Sequence, residues 1–184
     1  MASFHVFNLW LHILSAALWV GSISFFLFVF APAVHSLSAG TGVRILDWGR
    51  QRFESLSWFG IAVLLITGIL NFIFRAQSSD FHITTGYSII LGIKLFLFLA
   101  MAFHHSLQTF KYGPKIVLLT AQAQENLEAW PEPLLAHWKK WFVLLKINAT
   151  LGVLLLLLGL TGLDVPLGQR PEQPAAAVEA ADER

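Results

Sequence analysis

The side chains able to do chemistry here are histidines and one lysine set in apolar sequence: His12, Lys94, His104 and His105. An imidazole among Leu, Ile and Phe is either a metal ligand or a hydrogen-bonding group. A buried ammonium needs a carboxylate or carbonyl partner, or must lose its proton. Lys94 and His105 are eleven residues apart, close to three helical turns, so they share a face. His104 is turned away from that face by about 80°. His105 is therefore the favoured ligand, and His104 a neighbour or alternative. His12 belongs to a stripe of Asn8, His12, Ser15, Trp19 and Ser22, which recurs every three or four residues on one helix face. Lipid cannot satisfy such a stripe, so it points into a bundle or cavity.

Four apolar segments must position these groups, roughly 5–31, 55–74, 86–110 and 138–162. About 20 apolar residues in a helix cross a hydrocarbon core of about 30 Å. The chain has 184 residues, 56% hydrophobic and 12% charged, well below the roughly 25% charge of a soluble domain. The expected fold is all-α: an integral membrane four-helix bundle, antiparallel and up-down, with both termini on the same side. It spans residues 1–165, and a flexible polar tail rich in Pro, Ala and Glu follows at 166–184. The first apolar run is too long for a signal peptide, and no positive residue precedes it; it reads as a retained helix. No internal repeat is evident. The net charge of +1 gives no case for nucleic acid. The absence of cysteine excludes disulfides, iron–sulfur clusters, thiolate metal sites and covalent c-type haem.

The connections read as short polar loops at 32–54, 75–85 and 111–137, the last with a candidate interfacial helix before Pro131. Loops one and three carry Arg44, Arg50, Arg52, Lys111, Lys115, Lys139 and Lys140. The other side carries Arg75, Arg170 and Arg184. The positive-inside rule thus predicts both termini outside the cell membrane. Trp10, Trp58, Trp138 and Trp141 lie near segment ends, as in an interfacial aromatic belt. Gly60, Gly68, Gly92, Gly152 and Gly159 are candidates for close helix contacts.

On this topology the histidines sort into two layers. His12 and Lys94 share an outer layer with Asn71, with His5 and His82 nearer the surface. His104 and His105 lie in an inner layer, with His35 and His137 on the same side. His12 and His105 differ in depth by roughly 17–20 Å. Two axial ligands of one haem must lie only about 4 Å apart, given a metal–imidazole bond of about 2 Å. These two residues therefore cannot both ligate one haem: either one site dominates, or two sites are stacked across the membrane. For His5, His35, His82 and His137, simple interfacial placement is the commoner explanation.

The motifs resemble those of four-helix bacterial membrane proteins related to copper-resistance protein D and to the flavin-free, HemJ-type protoporphyrinogen oxidases. The resemblance runs over roughly residues 8–160. It rests on His12, Trp19 and Gly21 in LHILSAALWVG, on Thr67-Gly68 in ITG, on Lys94 and His105 in KLFLFLAMAFHH, and on Asn148. Two features depart from the oxidase type: Ala149 stands where a glutamate is expected, and FVFAPAVHS lacks a basic residue. The resemblance implies a bacterial inner-membrane protein binding one or two haem b groups non-covalently. His12 ligates an outer haem with Lys94 at a propionate. His105 ligates an inner one, with His35 or His137 as second ligand. His104, His82 and Asn148 complete the candidate set. Electrons pass within or across the bilayer, to or from a quinone or a redox partner subunit, and an oligomer is compatible with this reading. If the protein is an enzyme, it is an oxidoreductase. The alternatives are a flavin-free protoporphyrinogen oxidase and a copper-handling or structural membrane subunit. Cu(I) favours thiolate and thioether ligands, and the chain offers only Met1 and Met101.

Overall fold

The structure is a computed structural model that describes residues 2–78, 84–123 and 128–161. Among these residues there are helices and no strand. Helix α1 (Ala2–Phe25) passes through a π-helical turn at Phe26–Phe30 into α2 (Ala31–His35). Helix α3 is one unbroken run, Ala39–Ser78. Helix α4 (Thr85–Ser106) passes through a second π-helical turn at Leu107–Tyr112 into α5 (Gly113–Gln122), and α6 covers Glu132–Thr161. The Thr84 hydroxyl caps α4 by accepting from the Tyr87 backbone N–H at 3.3 Å.

Four helical runs are long and apolar enough to cross a membrane: Ser3–His35, Ala39–Ser78, Thr85–Gln122 and Glu132–Gly159. All but the first begin well before, or end well after, the apolar segments that mark them in sequence. The expected loop 32–54 is helix from Ala39 onward, and the expected loop 111–137 is helix to Gln122 and again from Glu132. A 40-residue helix is about 60 Å long, twice the hydrocarbon thickness of about 30 Å. The surplus lies at the basic end, where α2, α5 and the first halves of α3 and α6 pack into a helical cap around Val34, Val43, Leu46, Ile116, Leu134 and Trp138. The interfacial helix expected before Pro131 falls partly on residues outside those described, as do His82 and the tail.

Side-chain contacts set the register of the bundle. Going up α1, Phe4 meets Phe74, His12 meets Thr67, Trp19 meets Gly60, and Phe26 meets Phe53. The partner numbers fall as those of α1 rise, so α1 and α3 run antiparallel. Helix α6 opposes both α1 and α4 in the same way: Phe26 meets Trp141, while a Cβ on Gly152 would lie 2.9 Å from Val20 and 3.4 Å from Met101. Helices α1 and α4 are thus parallel, and Trp19 and Phe98 touch edge to face at 6.2 Å. The stripe on α1 does face protein: Asn8, Ser15 and Trp19 are buried, and His12 and Ser22 half-buried. Between α3 and α4 the packing is not extended, and the α4 span is the least buried of the four.

Both π-helical turns lead directly into an X-Pro step, Ala31-Pro32 and Gly113-Pro114. Proline lacks an N–H and its ring collides with the carbonyl four residues back. A wider turn relieves the collision, and Ala31 and Gly113 donate to the carbonyls of Phe26 and Gln108, five residues back. His12 and Lys94 each stand twenty residues before their proline. The two parallel helices therefore repeat one design that their side chains conceal.

The tryptophans correct one expectation. Trp10 is exposed, as an interfacial residue should be, but Trp138 and Trp141 are fully buried in the core. They anchor an aromatic cluster with Phe26, Phe53 and Phe142, because the start of α6 lies inside the cap. Of the candidate glycines, Gly152 makes the closest helix contact, and Gly92 and Gly159 meet nothing within 4 Å. Gly152→Leu should destabilise the protein by about 1–3 kcal/mol through overpacking, read as a lower unfolding midpoint in detergent. The same change at Gly92 should leave the midpoint in place.

Candidate functional site

The polar groups gather in two layers along the bundle. In the first, the Asn8 amide donates to the Thr67 carbonyl at 3.0 Å and to Asn71 Oδ1 at 2.8 Å. His12 Nδ1 lies 2.7 Å from Thr67 Oγ1. The Thr67 hydroxyl proton is already committed, since Oγ1 lies 2.7 Å from the Val63 carbonyl and 3.3 Å from that of Leu64. Thr67 must therefore accept from His12, and the neutral ring carries its proton on Nδ1. That assignment leaves Nε2 with a bare lone pair. Gly68 makes room for the ring: a Cβ there would lie 3.4 Å from His12 Cε1. Lys94 is half-buried on α4 and close enough for its charge to act on His12. Near the same end Arg75 lies over the Tyr87 ring at 4.6 Å, tying α3 to the start of α4.

The second layer is built around a buried ion cluster. Arg50, 2% exposed, binds Asp47 Oδ1 through Nη2 at 2.7 Å and Nε at 2.9 Å, and Glu54 Oε2 through Nη1 at 2.8 Å. Gln51 donates to the other Asp47 oxygen at 3.1 Å, and the Trp141 indole to the other Glu54 oxygen at 3.1 Å. Each carboxylate is thus held on both oxygens. Gly113 allows α5 to approach, since a Cβ there would come within 2.9 Å of the guanidinium. Beside the cluster, Gln108 donates to the Trp141 carbonyl at 3.1 Å and faces Asn148 Nδ2 at 3.4 Å. His105 is 1% exposed, flanked by Trp58 at 5.2 Å and Phe53 at 6.1 Å between ring centroids. Its polar neighbours are the Gln108 side chain and the Glu54 backbone.

His12 and Lys94 therefore share one layer, and His105 and Asn148 the other. His104 points elsewhere, donating through Nδ1 to the Ala100 carbonyl at 2.7 Å. His35 stacks on Trp130 in the cap, and His137 donates to the Pro133 carbonyl at 2.7 Å. Among the described residues no three His, Cys, Asp or Glu side chains converge as a metal shell. Asp47, Arg50, Glu54, Ser57 and Gln108 are the site residues that sequence reasoning misses. Positions 43, 46, 47, 50, 53, 54 and 57 recur at three and four residues, a signal of one buried helix face. Their charges made the stretch read as loop.

The architecture and layers define a class: an all-helical membrane protein with polar groups held inside its bundle. Within that class, residues 50–163 match the family of copper resistance protein D, CopD, and the chain belongs to that family. Comparison with curated proteins and with solved structures finds no match.

The ion cluster makes a direct prediction. Arg50→Met strands two buried carboxylates and should cost about 3–5 kcal/mol of stability. Replacing Asp47, Arg50 and Glu54 together by Leu, Met and Leu should recover most of that loss. Denaturant titration of both variants in detergent measures the difference.

Proposed function

We propose that this CopD-family membrane protein holds one haem b at His12 and serves electron transfer within the bilayer. The observation that carries the reading is the Thr67–His12 hydrogen bond, which holds the Nδ1 proton and leaves Nε2 as the ligating nitrogen of the neutral ring, with Lys94 in the same layer on α4. Ligating histidines are commonly oriented by just such a partner on the second ring nitrogen. A free metal ion needs several protein ligands, and no such set converges among the described residues. A porphyrin brings four nitrogens of its own, so one imidazole is a sufficient protein contribution. Lys94 would pair with a propionate carboxylate, and α3 and α4, which are not extensively packed on one another, would leave room beside His12.

The same test goes against a macrocycle at His105, whose ring is enclosed between Phe53 and Trp58 and 1% exposed. The reading therefore takes the one-haem form, and His104, His35 and His137 have no part in it. When bound, the haem supplies one-electron redox chemistry. This chain's residues orient the imidazole through Thr67, hold a carboxylate at Lys94 and keep bulk water out through the apolar faces of α1 and α3. The electron partner is a quinone in the bilayer or a redox subunit docked on the exposed side of α4. The protein sits in a bacterial inner membrane with periplasmic termini, an orientation that reporter fusions to the C-terminus test.

The family description favours a second reading, in which the same imidazole handles copper. The two separate on metal analysis. Protein from haem-replete, copper-supplemented cells should show a b-type reduced-minus-oxidised spectrum with about one haem per chain. His12→Ala should abolish that spectrum, and Thr67→Val should weaken haem affinity by about 10–100-fold. Full haem in His12→Ala would overturn the ligand. Copper without haem would transfer the site to the second reading.

A further inference from the structure

The layer around His105 carries more unmet polarity than its packing explains. His105 Nε2, Ser57 Oγ and Asn148 Oδ1 are buried with no protein hydrogen-bond partner, on side chains 1%, 0% and 1% exposed. They come from three helices, α4, α3 and α6. Buried polar atoms are almost always bonded to protein or to ordered water, so three orphans in one neighbourhood call for a cause.

They do share a neighbourhood. Ser57 follows Glu54 by one helical turn, and the Glu54 backbone lies beside His105. Trp58, next in sequence to Ser57, packs on the His105 ring. Gln108 is one turn from His105 and faces Asn148. Towards the His12 layer the way is closed by the buried side chains of Trp19, Ile23 and Met101 and by the Gly152 contact. Towards the basic end, a line of polar side chains continues along α3 beside the packed rings of Phe53 and Trp141. Glu54, Arg50 and Asp47 follow one another along α3, and Asp47 also lines an open groove of about 410 Å³ between α3 and α5. Thr120 lines the same groove, and its buried hydroxyl is a fourth orphan.

We propose that this layer is a built hydration site: water enters from the groove beside Asp47 and Thr120, passes the Arg50 cluster, and bridges Ser57 Oγ, His105 Nε2 and Asn148 Oδ1. The bundle then contains an aqueous inlet that opens at the basic end and stops at the packed layer of Trp19, Ile23 and Met101. The titratable and charged groups facing it are Arg44 and Asp47 at the groove, then Arg50, Glu54 and His105. The inlet carries small hydrophilic ions and protons into the membrane interior without crossing it. This inference does not depend on haem at His12.

The chain has no cysteine, so a single introduced thiol reports its own surroundings. Ser57→Cys is nearly isosteric, and Ile23→Cys is the control in the packed layer. In sealed vesicles of known orientation, silver ion or a small cationic methanethiosulfonate should modify Ser57→Cys at least about tenfold faster than Ile23→Cys, since thiol reactivity follows exposure to water. The reaction should be fast from the basic side only, and Thr120→Trp, which fills the groove, should slow it. If Ser57→Cys does not fold, Asn148→Cys replaces it in the same comparison. Labelling no faster than the control in folded protein overturns the hydration site. Fast labelling that is indifferent to Thr120→Trp, or faster from the other side, overturns the route.

Discussion

The Arg50 guanidinium is held between two carboxylates of its own helix, and the basic half of the bundle is arranged around that contact. One buried cation with two buried anions leaves an excess negative charge, and burying charge is costly unless every lone pair finds a donor. Trp141 and Gln51 supply those donors. Trp141 can do so only because α6 starts within the cap, and Gly113 brings α5 close only because it has no side chain. Once Trp141 is fixed there, its carbonyl takes Gln108, and Gln108 orients towards Asn148 and His105. The inner polar layer is thus ordered outward from one salt-bridged turn of α3.

The other layer is ordered by a different economy of hydrogen bonds. Thr67 spends its proton on its own helix backbone and keeps only acceptor capacity for His12. The tautomer of His12 follows from that choice. Between the layers, the buried side chains of Trp19, Ile23 and Met101 form a packed barrier. Parallel helices α1 and α4 each pass into a π-helical turn ahead of a proline. Each presents its distinctive polar residue, His12 or Lys94, the same number of residues before that proline. That correspondence places both in one layer, on helices that also touch through Trp19 and Phe98.

Much of this was legible in the residues. The four apolar runs marked the spans, and the period of Asn8, His12, Ser15 and Trp19 marked the protein-facing side of α1. Depth counted along the helices separated His12 from His105 and paired His12 with Lys94. Rotation preferred His105 to His104, and the structure does place them on different faces, with His104 bonded to its own helix. The failures share a cause. Hydropathy reports the solvent of a segment and not its conformation, so helix that continued into water beyond the membrane read as loop. Trp138 and Trp141 read as an interfacial belt because the cap that buries them was not visible.

The sequence by itself determined the class of solvent, the number of spans, the polar stripe and the separation of His12 from His105 along the bundle, because these depend on composition and on the fixed rise and period of a helix. Tertiary structure alone decided which polar groups meet. Whether Asp47, Arg50 and Glu54 are a solvated charge run or a buried cluster depends on Trp141, 87 residues away from Glu54. Whether His12 offers a lone pair depends on Thr67, 55 residues away. No local period carries that information, since hydrogen bonds between helices are fixed by packing angles and close approaches that the chain sets only when it folds.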